Sequence, residues 1–388
     1  MFRRYAISEI GDIISGATPK TTVPDNFGGE IPWLTPADLS GYTGKYISHG
    51  ARNLTRQGYD SCSTHLMPAG TVLLSSRAPI GYVAIAKNEI CTNQGFKSIV
   101  PKTFVNSEFL YYQLESLKNT LQNLGSGTTF KELSAKKLAT VQVVIPSLEE
   151  QKSIVSKIEE LFSKLDASVA ELKTAKEKLK VYRQAVLKEA FSCADTFEPF
   201  GSIMTSRLGK MLDKEKNVGL PEQYIRNINV RWFSFDLSDL LKMRIETKEI
   251  EKYSIKYGDL IICEGGEPGR CAVWDRNDSI FYQKALHRVR FKNGENPKLY
   301  MYYLWFISQT GELEKYFTGT GIKHLTGQSL LKVPVPIISI SKQNTVVLKI
   351  ESQLSVCNQI EKMIEQSLQQ AEAMRQSILK QAFEGRLV

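Results

Sequence analysis

Two glutamates and a lysine supply one spacing in this chain that could support hydrolytic chemistry. Pro221-Glu222 followed by Glu246-Thr247-Lys248 fits a loose pattern in which two carboxylates hold Mg²⁺ and a lysine assists the attacking water. The pattern is short and lies in the charged stretch Arg244 to Lys252, where a solvated surface face gives the same residues. Other reactive apparatus is missing from the sequence. There is no G-x-x-x-x-G-K-[ST] phosphate loop, no H-E-x-x-H, no G-x-S-x-G elbow and no Asp/Asn-Pro-Pro-aromatic tetrapeptide of amino-methyltransferases. His49, His65, His287 and His324 are isolated, and Cys62, Cys91, Cys193, Cys263, Cys271 and Cys357 form no C-x-x-C pair. Neither set predicts a metal site, and the cysteines read as reduced thiols. Gly125-Ser126-Gly127 and Gly319-Thr320-Gly321 read as turns, because no dinucleotide-binding pattern follows them.

Whatever the chain does, several elements must position it. Its 388 residues exceed what one hydrophobic core usually serves, so two or more domains are expected. No stretch approaches the ~20 apolar residues that span a bilayer. The start, MFRRYAISEIGDII, lacks the apolar core of a secretory signal, and a cytoplasmic location is expected. The net charge of +9 is compatible with a polyanionic partner. Seven of the nine excess charges fall outside two long helical segments, so the globular parts carry most of any such contact.

Those helices belong to an internal duplication. A shift of 192 residues aligns Leu138–Phe191 with Leu330–Phe383 without a gap, and 17 of the 54 positions are identical. They include Val141 with Val333, Gln151 with Gln343, Lys157-Ile158-Glu159 with Lys349-Ile350-Glu351, and Arg183-Gln184 with Arg375-Gln376. Upstream, Gly127-Thr128, Lys131 and Leu133 match Gly319-Thr320, Lys323 and Leu325. Within each copy an apolar residue recurs every seven positions: Ile158, Leu165, Leu172, Leu179 and Val186, then Ile350, Cys357, Ile364, Ala371 and Ile378. A second row offset by three, Ile154, Leu161, Ser168, Ala175 and Tyr182 with its copy Val346, Gln353, Ile360, Ser367 and Met374, completes the seam of a coiled coil. The alternative is that each helix packs on its own globular domain. Ser147 with Glu150 forms a capping box, Ser341 is the expected cap of the second helix, and Gly385 and the Gly201 region supply stops.

The segments before each helix mix short strands with a helix, as in the apolar runs Thr71–Ser75 and Leu260–Cys263. Gly70 pairs with Gly258 and Gly81 with Gly269 at a shift of 188, and Tyr111 with Tyr303 at 192, so small insertions separate the copies. The architecture is α/β (α+β): mixed domains at residues 1–147 and 192–340, each followed by a long helix at 148–191 and 341–388.

At GTTFKELSAKKLATVQVVIPSLEEQKSIVSKIEE, residues 127–160, the chain closely resembles the repeat of Type I restriction-modification specificity subunits. The shared elements are the Gly127-Thr128 turn, the hydrophobic segment Val141 to Pro146, and Glu150-Gln151 opening a long helix. Ile31-Pro32-Trp33, Asp38-Leu39, Leu73 to Gly81, Asn93-Gln94-Gly95-Phe96 and the closing Ala382 to Val388 are similar to the same family, so the resemblance spans essentially the whole chain. The second domain departs from it, with Tyr224-Ile225-Arg226-Asn227-Ile228 in place of Pro-Trp and Lys342-Gln343 in place of Glu-Gln.

The resemblance implies two target-recognition domains separated by two antiparallel coiled-coil helices with pseudo-two-fold symmetry. It implies a non-catalytic DNA-binding subunit that recognises an asymmetric bipartite site. Partners would be double-stranded DNA, two methyltransferase subunits that modify adenine N6, and ATP-driven restriction subunits. S-adenosylmethionine, ATP and Mg²⁺ would be used by the partners and no cofactor by this chain. Base reading needs donors, acceptors and phosphate-binding cations on loops. The expected DNA contacts are Lys20, Arg52, Arg77, Lys97, Thr128, Thr129 and Lys131 in the first domain, and Arg226, Arg231, Arg270, Lys323 and His324 in the second. For each, the competing reading is a solvated cation or an internal ion pair. Trp33 reads equally as core anchor or contact. For the whole chain, the rivals are a coiled-coil scaffold without a DNA role and the nuclease centred on Glu222, Glu246 and Lys248.

Overall fold

The apolar runs Val72–Ser76 and Leu260–Cys263 are buried along their whole length, as strands covered on both faces must be. In a computed structural model, which describes residues 3–127, 131–213, 215 and 217–387, each run lies inside a sheet. The chain divides into two units, residues 1–172 with 366–388 and residues 173–365.

In the first unit, strands β1 (Gly11–Ser15), β2 (Tyr46–Ile47), β3 (Val72–Ser76), β4 (Ile80–Ala86) and β5 (Lys97–Pro101) lie in the order β1-β5-β3-β4-β2. All pairs are antiparallel except β2 with β4. Helix α1 (Ser107–Ser116) starts at Asn106, whose side chain accepts the Phe109 N–H at 2.8 Å and so satisfies a donor that the helix leaves free. Phe109, Leu110 and Leu114 pack with Val72, Leu74 and Ile99 into the core. Arg3–Ala6 and Gln142–Ile145 form an antiparallel ribbon that leads into helix α2 (Leu148–Phe191).

The second unit repeats this frame. Strands β6 (Met204–Leu208), β7 (Leu260–Cys263), β8 (Cys271–Val273) and β9 (Leu286–Phe291) lie in the order β6-β9-β7-β8, matching β1-β5-β3-β4. Helix α3 (Pro297–Gln309) is capped by Asn296, and the ribbon Thr196–Pro199 with Pro334–Ile337 leads into helix α4 (Ile340–Phe383). A further sheet of Leu220–Ile225, Leu241–Ile245, Ser254–Ile255 and Ile280–Tyr282 encloses its own core around Trp274 and Tyr282. Leu260 pairs with Val289 as Val72 pairs with Ile99, and the caps Asn106 and Asn296 stand 190 residues apart. The helices α1 and α3 therefore match at 190. This pairs Tyr112 with Tyr302, beside Glu159 and Glu351 respectively, and corrects the expected pairing of Tyr111 with Tyr303.

Each unit holds segments of both long helices, packed antiparallel. In the second unit the Lys176 ammonium meets Glu365 at 2.8 Å, Arg183 meets Glu361 at 2.8 Å and Lys349 meets Glu189 at 2.7 Å. In the first unit Arg375 pairs with Asp166 and lies over the Phe162 ring. The seven-residue row Ile158, Leu165, Leu172, Leu179, Val186, Ile350, Cys357, Ile364, Ala371 and Ile378 is buried or half-buried. The second row is covered only in part: Ile154 is buried and Leu161, Val346, Gln353 and Ser367 are half-buried, whereas Ser168 and Ala175 are exposed. Tyr182, Ile360 and Met374 are exposed as well, and the flank that is covered throughout holds Val155, Phe162, Val169, Lys176, Arg183 and Ala190 with Val347, Leu354, Glu361, Leu368, Arg375 and Ala382. Each helix is also bound to its own domain, since Ile154, Val155 and Ile158 join the first core and Val347, Ile350 and Leu354 the second.

The capping box is present, with Ser147 N–H donating to Glu150 at 2.9 Å. For the second helix the cap is Ser339, whose carbonyl accepts from Lys342 and Gln343; Ser341 lies inside the first turn. Gly385, at φ 72, ends the second helix in the left-handed conformation that suits glycine. The first helix stops at Phe191, ten residues before Gly201. Among the described residues no helix is long and apolar enough to cross a membrane, and all six cysteines are free.

Candidate nucleic-acid interface

A short hairpin recurs at the same place in both domains. In the second, the N–H of Thr318 donates to the His324 carbonyl at 2.8 Å and the N–H of His324 returns to Thr318 at 2.9 Å. In the first, Ser126 and Glu132 make the same exchange at 3.0 and 2.9 Å. The residue after each stem is tied to the end of a central strand, Leu133 to Ser76 at 2.8 Å and Leu325 to Glu264 at 2.7 Å. Each tip ends on a lysine, Lys131 and Lys323. Both are exposed and make no ion pair with another described residue. Thr128 and Thr129 lie outside the described residues.

Three matched positions at each stem differ between the copies. In the first, the Glu132 carboxylate stands 3.7 Å from both Arg77 and Lys97. Lys97 is nearly buried, with its ammonium 3.5 Å from the Gln94 carbonyl. Sheet register puts Gly265, His287 and His324 at the matching places. A Cβ on Gly265 would lie 2.9 Å from His324 Nδ1, so glycine leaves the imidazole its room. His287 is buried with Nε2 2.9 Å from the Leu325 carbonyl, and burial pushes its pKa below the ordinary histidine value. Its ring therefore favours the neutral form that donates this bond.

The remaining expected contacts divide into free and engaged cations. Lys20 is exposed, and Arg52 lies over the Phe27 ring at 4.8 Å. Arg226 is held by Asp239 at 2.5 Å, Arg270 by Glu267 at 2.7 Å and by the Asn227 carbonyl at 2.9 Å, and Arg231 stands 3.7 Å from Asp236. These three, with Arg77 and Lys97, are internal partners first. Trp33 is buried with its indole N–H on the Ala17 carbonyl at 3.1 Å, which makes it an anchor. Beside Arg77 a hollow of about 420 Å³ is lined by Thr35, Pro36, Ser40, Tyr82 and Asn93.

The nuclease reading finds no assembled site. Glu222 stands opposite Met243, three residues along the ladder from Glu246, roughly 10 Å at ~3.3 Å per residue. Glu246 instead pairs with Lys248 at 2.8 Å. Among the described residues no group of three His, Cys, Asp or Glu side chains could hold a metal ion.

Fold and site together define an internally duplicated recognition protein: two copies of one domain, each presenting a lysine-tipped hairpin whose stem chemistry has diverged. The family model for the Type I restriction modification DNA specificity domain matches residues 2–178 and 204–370, and the chain belongs to that family. It is 43% identical over 196 residues to the MjaIX specificity subunit of Methanocaldococcus jannaschii, covering 50% of this chain and 44% of that one. It is 23% identical to the EcoKI specificity subunit of Escherichia coli K12, covering 74% and 67%. The chain thus spans between about half and two thirds of these relatives' lengths. The fold is shared with a chain from a structural study of assembly and conformational transition in the type I R-M system (TM-score 0.79, 17% identity, 99% and 98% covered). The HsdS subunit from Thermoanaerobacter tengcongensis shares it too (TM-score 0.63, 15% identity, 99% and 97% covered).

Proposed function

We propose that this chain is the specificity subunit of a Type I restriction-modification complex and that each of its domains reads one element of an asymmetric bipartite DNA site. The observation that carries the reading is the paired hairpin: the same stem, anchor and tip lysine in both copies, with different residues at three matched stem positions. A shared frame with a lysine at each tip fixes position on phosphates, and divergent stems specify different bases. The chain itself is non-catalytic and takes no cofactor. It works in the cytoplasm with two methyltransferase subunits, which use S-adenosylmethionine on adenine N6, and with restriction subunits that use ATP and Mg²⁺.

Methylome sequencing of cells that co-express the chain with its methyltransferase tests this. The expected result is one motif of two unlike elements around unspecified bases. Exchanging residues 192–340 for another domain of the family should change one element and leave the other. A palindromic motif, or no methylation dependent on the chain, refutes the proposal.

A further inference from the structure

Ile322 gains nothing from the fold where it stands. It is 74% exposed, the most exposed large hydrophobic side chain among the described residues. A single surface isoleucine is ordinary, but this one is held on an anchored hairpin. Its stem is closed by the two Thr318–His324 bonds and tied down by Leu325 on Glu264 and by His287 on the Leu325 carbonyl. Every residue from Thr318 to His324 is exposed, so nothing described covers the tip. Gly319, at φ 97, turns the chain there. The first copy carries Phe130 and Lys131 at the same two steps of the repeat as Ile322 and Lys323. The sequence repeat thus sets an apolar residue before the lysine in both copies, while the stem residues differ.

We infer that Ile322 reads the half-site of its domain by packing on the C5-methyl group of a thymine in the major groove, with Lys323 on an adjacent phosphate. This rests on the DNA-specificity reading above. A two-stranded hairpin fits a groove about 12 Å wide and not one of about 6 Å, and the thymine methyl is the apolar group that base edges present in the wider groove.

The test uses the full chain assembled with its methyltransferase subunits, wild type and Ile322→Ala, with duplexes first selected from a random pool by the wild-type complex. Each thymine of the selected site is then replaced in turn by deoxyuridine, which lacks only the methyl group. At one position, in one half-site, the wild type should weaken by about fourfold, what burying one methyl-sized group is worth. Ile322→Ala should bind the thymine site with the same weakening, be indifferent to deoxyuridine there, and unfold at the wild-type temperature because the side chain is exposed. A wild type indifferent to every replacement, or an Ile322→Ala protein still sensitive at that position, overturns the inference alone. A wild type that selects no sequence overturns the specificity reading and this inference with it.

Discussion

Gln151 and Gln343 make one contact twice. The side-chain oxygen of Gln151 accepts the backbone N–H of Asn106 at 2.7 Å, and that of Gln343 accepts the N–H of Asn296 at 2.6 Å. Each asparagine caps its domain's helix, and each glutamine sits in the first turn of a long helix and is buried. The amide nitrogens complete the joint, Gln151 on the Phe104 and Pro146 carbonyls at 2.9 Å each and Gln343 on Ile338 at 2.8 Å. The helix of each domain and the long helix that follows it are thereby fixed to each other at a polar joint inside an apolar core.

Gln151→Ala should therefore lower stability by about 1–3 kcal/mol, since it strands buried groups without partners. Gln343→Ala should cost a similar amount. Urea unfolding by circular dichroism measures both, and a change below about 0.5 kcal/mol in each would show that the joint is not structural.

The corrected seam predicts opposite outcomes on two faces of one helix. Ile364→Ala, in the buried row, should cost about 2–5 kcal/mol. Ile360→Lys, on the exposed flank, should change stability by no more than about 0.5 kcal/mol. Comparable losses in both variants would restore the flank expected from the apolar spacing.

Acid should loosen the ion pairs of that seam. The hydrogen bond from the Arg183 guanidinium holds the Glu361 carboxyl below the usual carboxylate pKa. A depressed folded-state pKa contributes stability that is present above the unfolded value, ~4.3, and is lost as pH falls through the folded one. Wild-type stability should fall in that acid range, and Glu361→Gln should flatten the profile. An identical pH profile for the variant would refute the coupling.

His287 predicts a second window nearer neutrality. Burial lowers its pKa, so its contribution is present above the unfolded value, ~6.5, and is lost as pH falls through the folded one. Protection of the Leu325 amide from hydrogen exchange should weaken across that window, because the ring's partner is the Leu325 carbonyl. In His287→Gln the weakening should disappear.

Free and engaged cations should separate by salt. Lys131→Ala and Lys323→Ala should each reduce the slope of log affinity against log salt by about 0.9, the value of one phosphate contact. Arg226→Ala should act mainly on stability, because Asp239 holds that guanidinium. A slope unchanged in both lysine variants would remove the hairpin tips from the interface.

Much of this was legible in the chain. The duplication follows from sequence identity alone at a shift of 192 residues, and the long helices, the Ser147–Glu150 box and the buried strands around Leu74 and Ile262 follow from period and capping chemistry, because each of these depends on residues a few positions apart. The tip lysines were legible from the repeat, and Ile322 would have been, since the same shift aligns it with Phe130. Tertiary structure alone decided which flank of the seven-residue row is covered. Both flanks have the right spacing, and the covered one contains Lys176, Arg183, Glu361 and Arg375, whose charges are tolerable only because partners arrive from the other helix. It decided equally which cations remain free. Lys97 and Arg77 share Glu132, and Arg226 meets Asp239, through partners 13 to 55 residues distant. The electrostatic fate of a side chain depends on what folding brings within a few ångströms of it, and its sequence neighbours do not specify that.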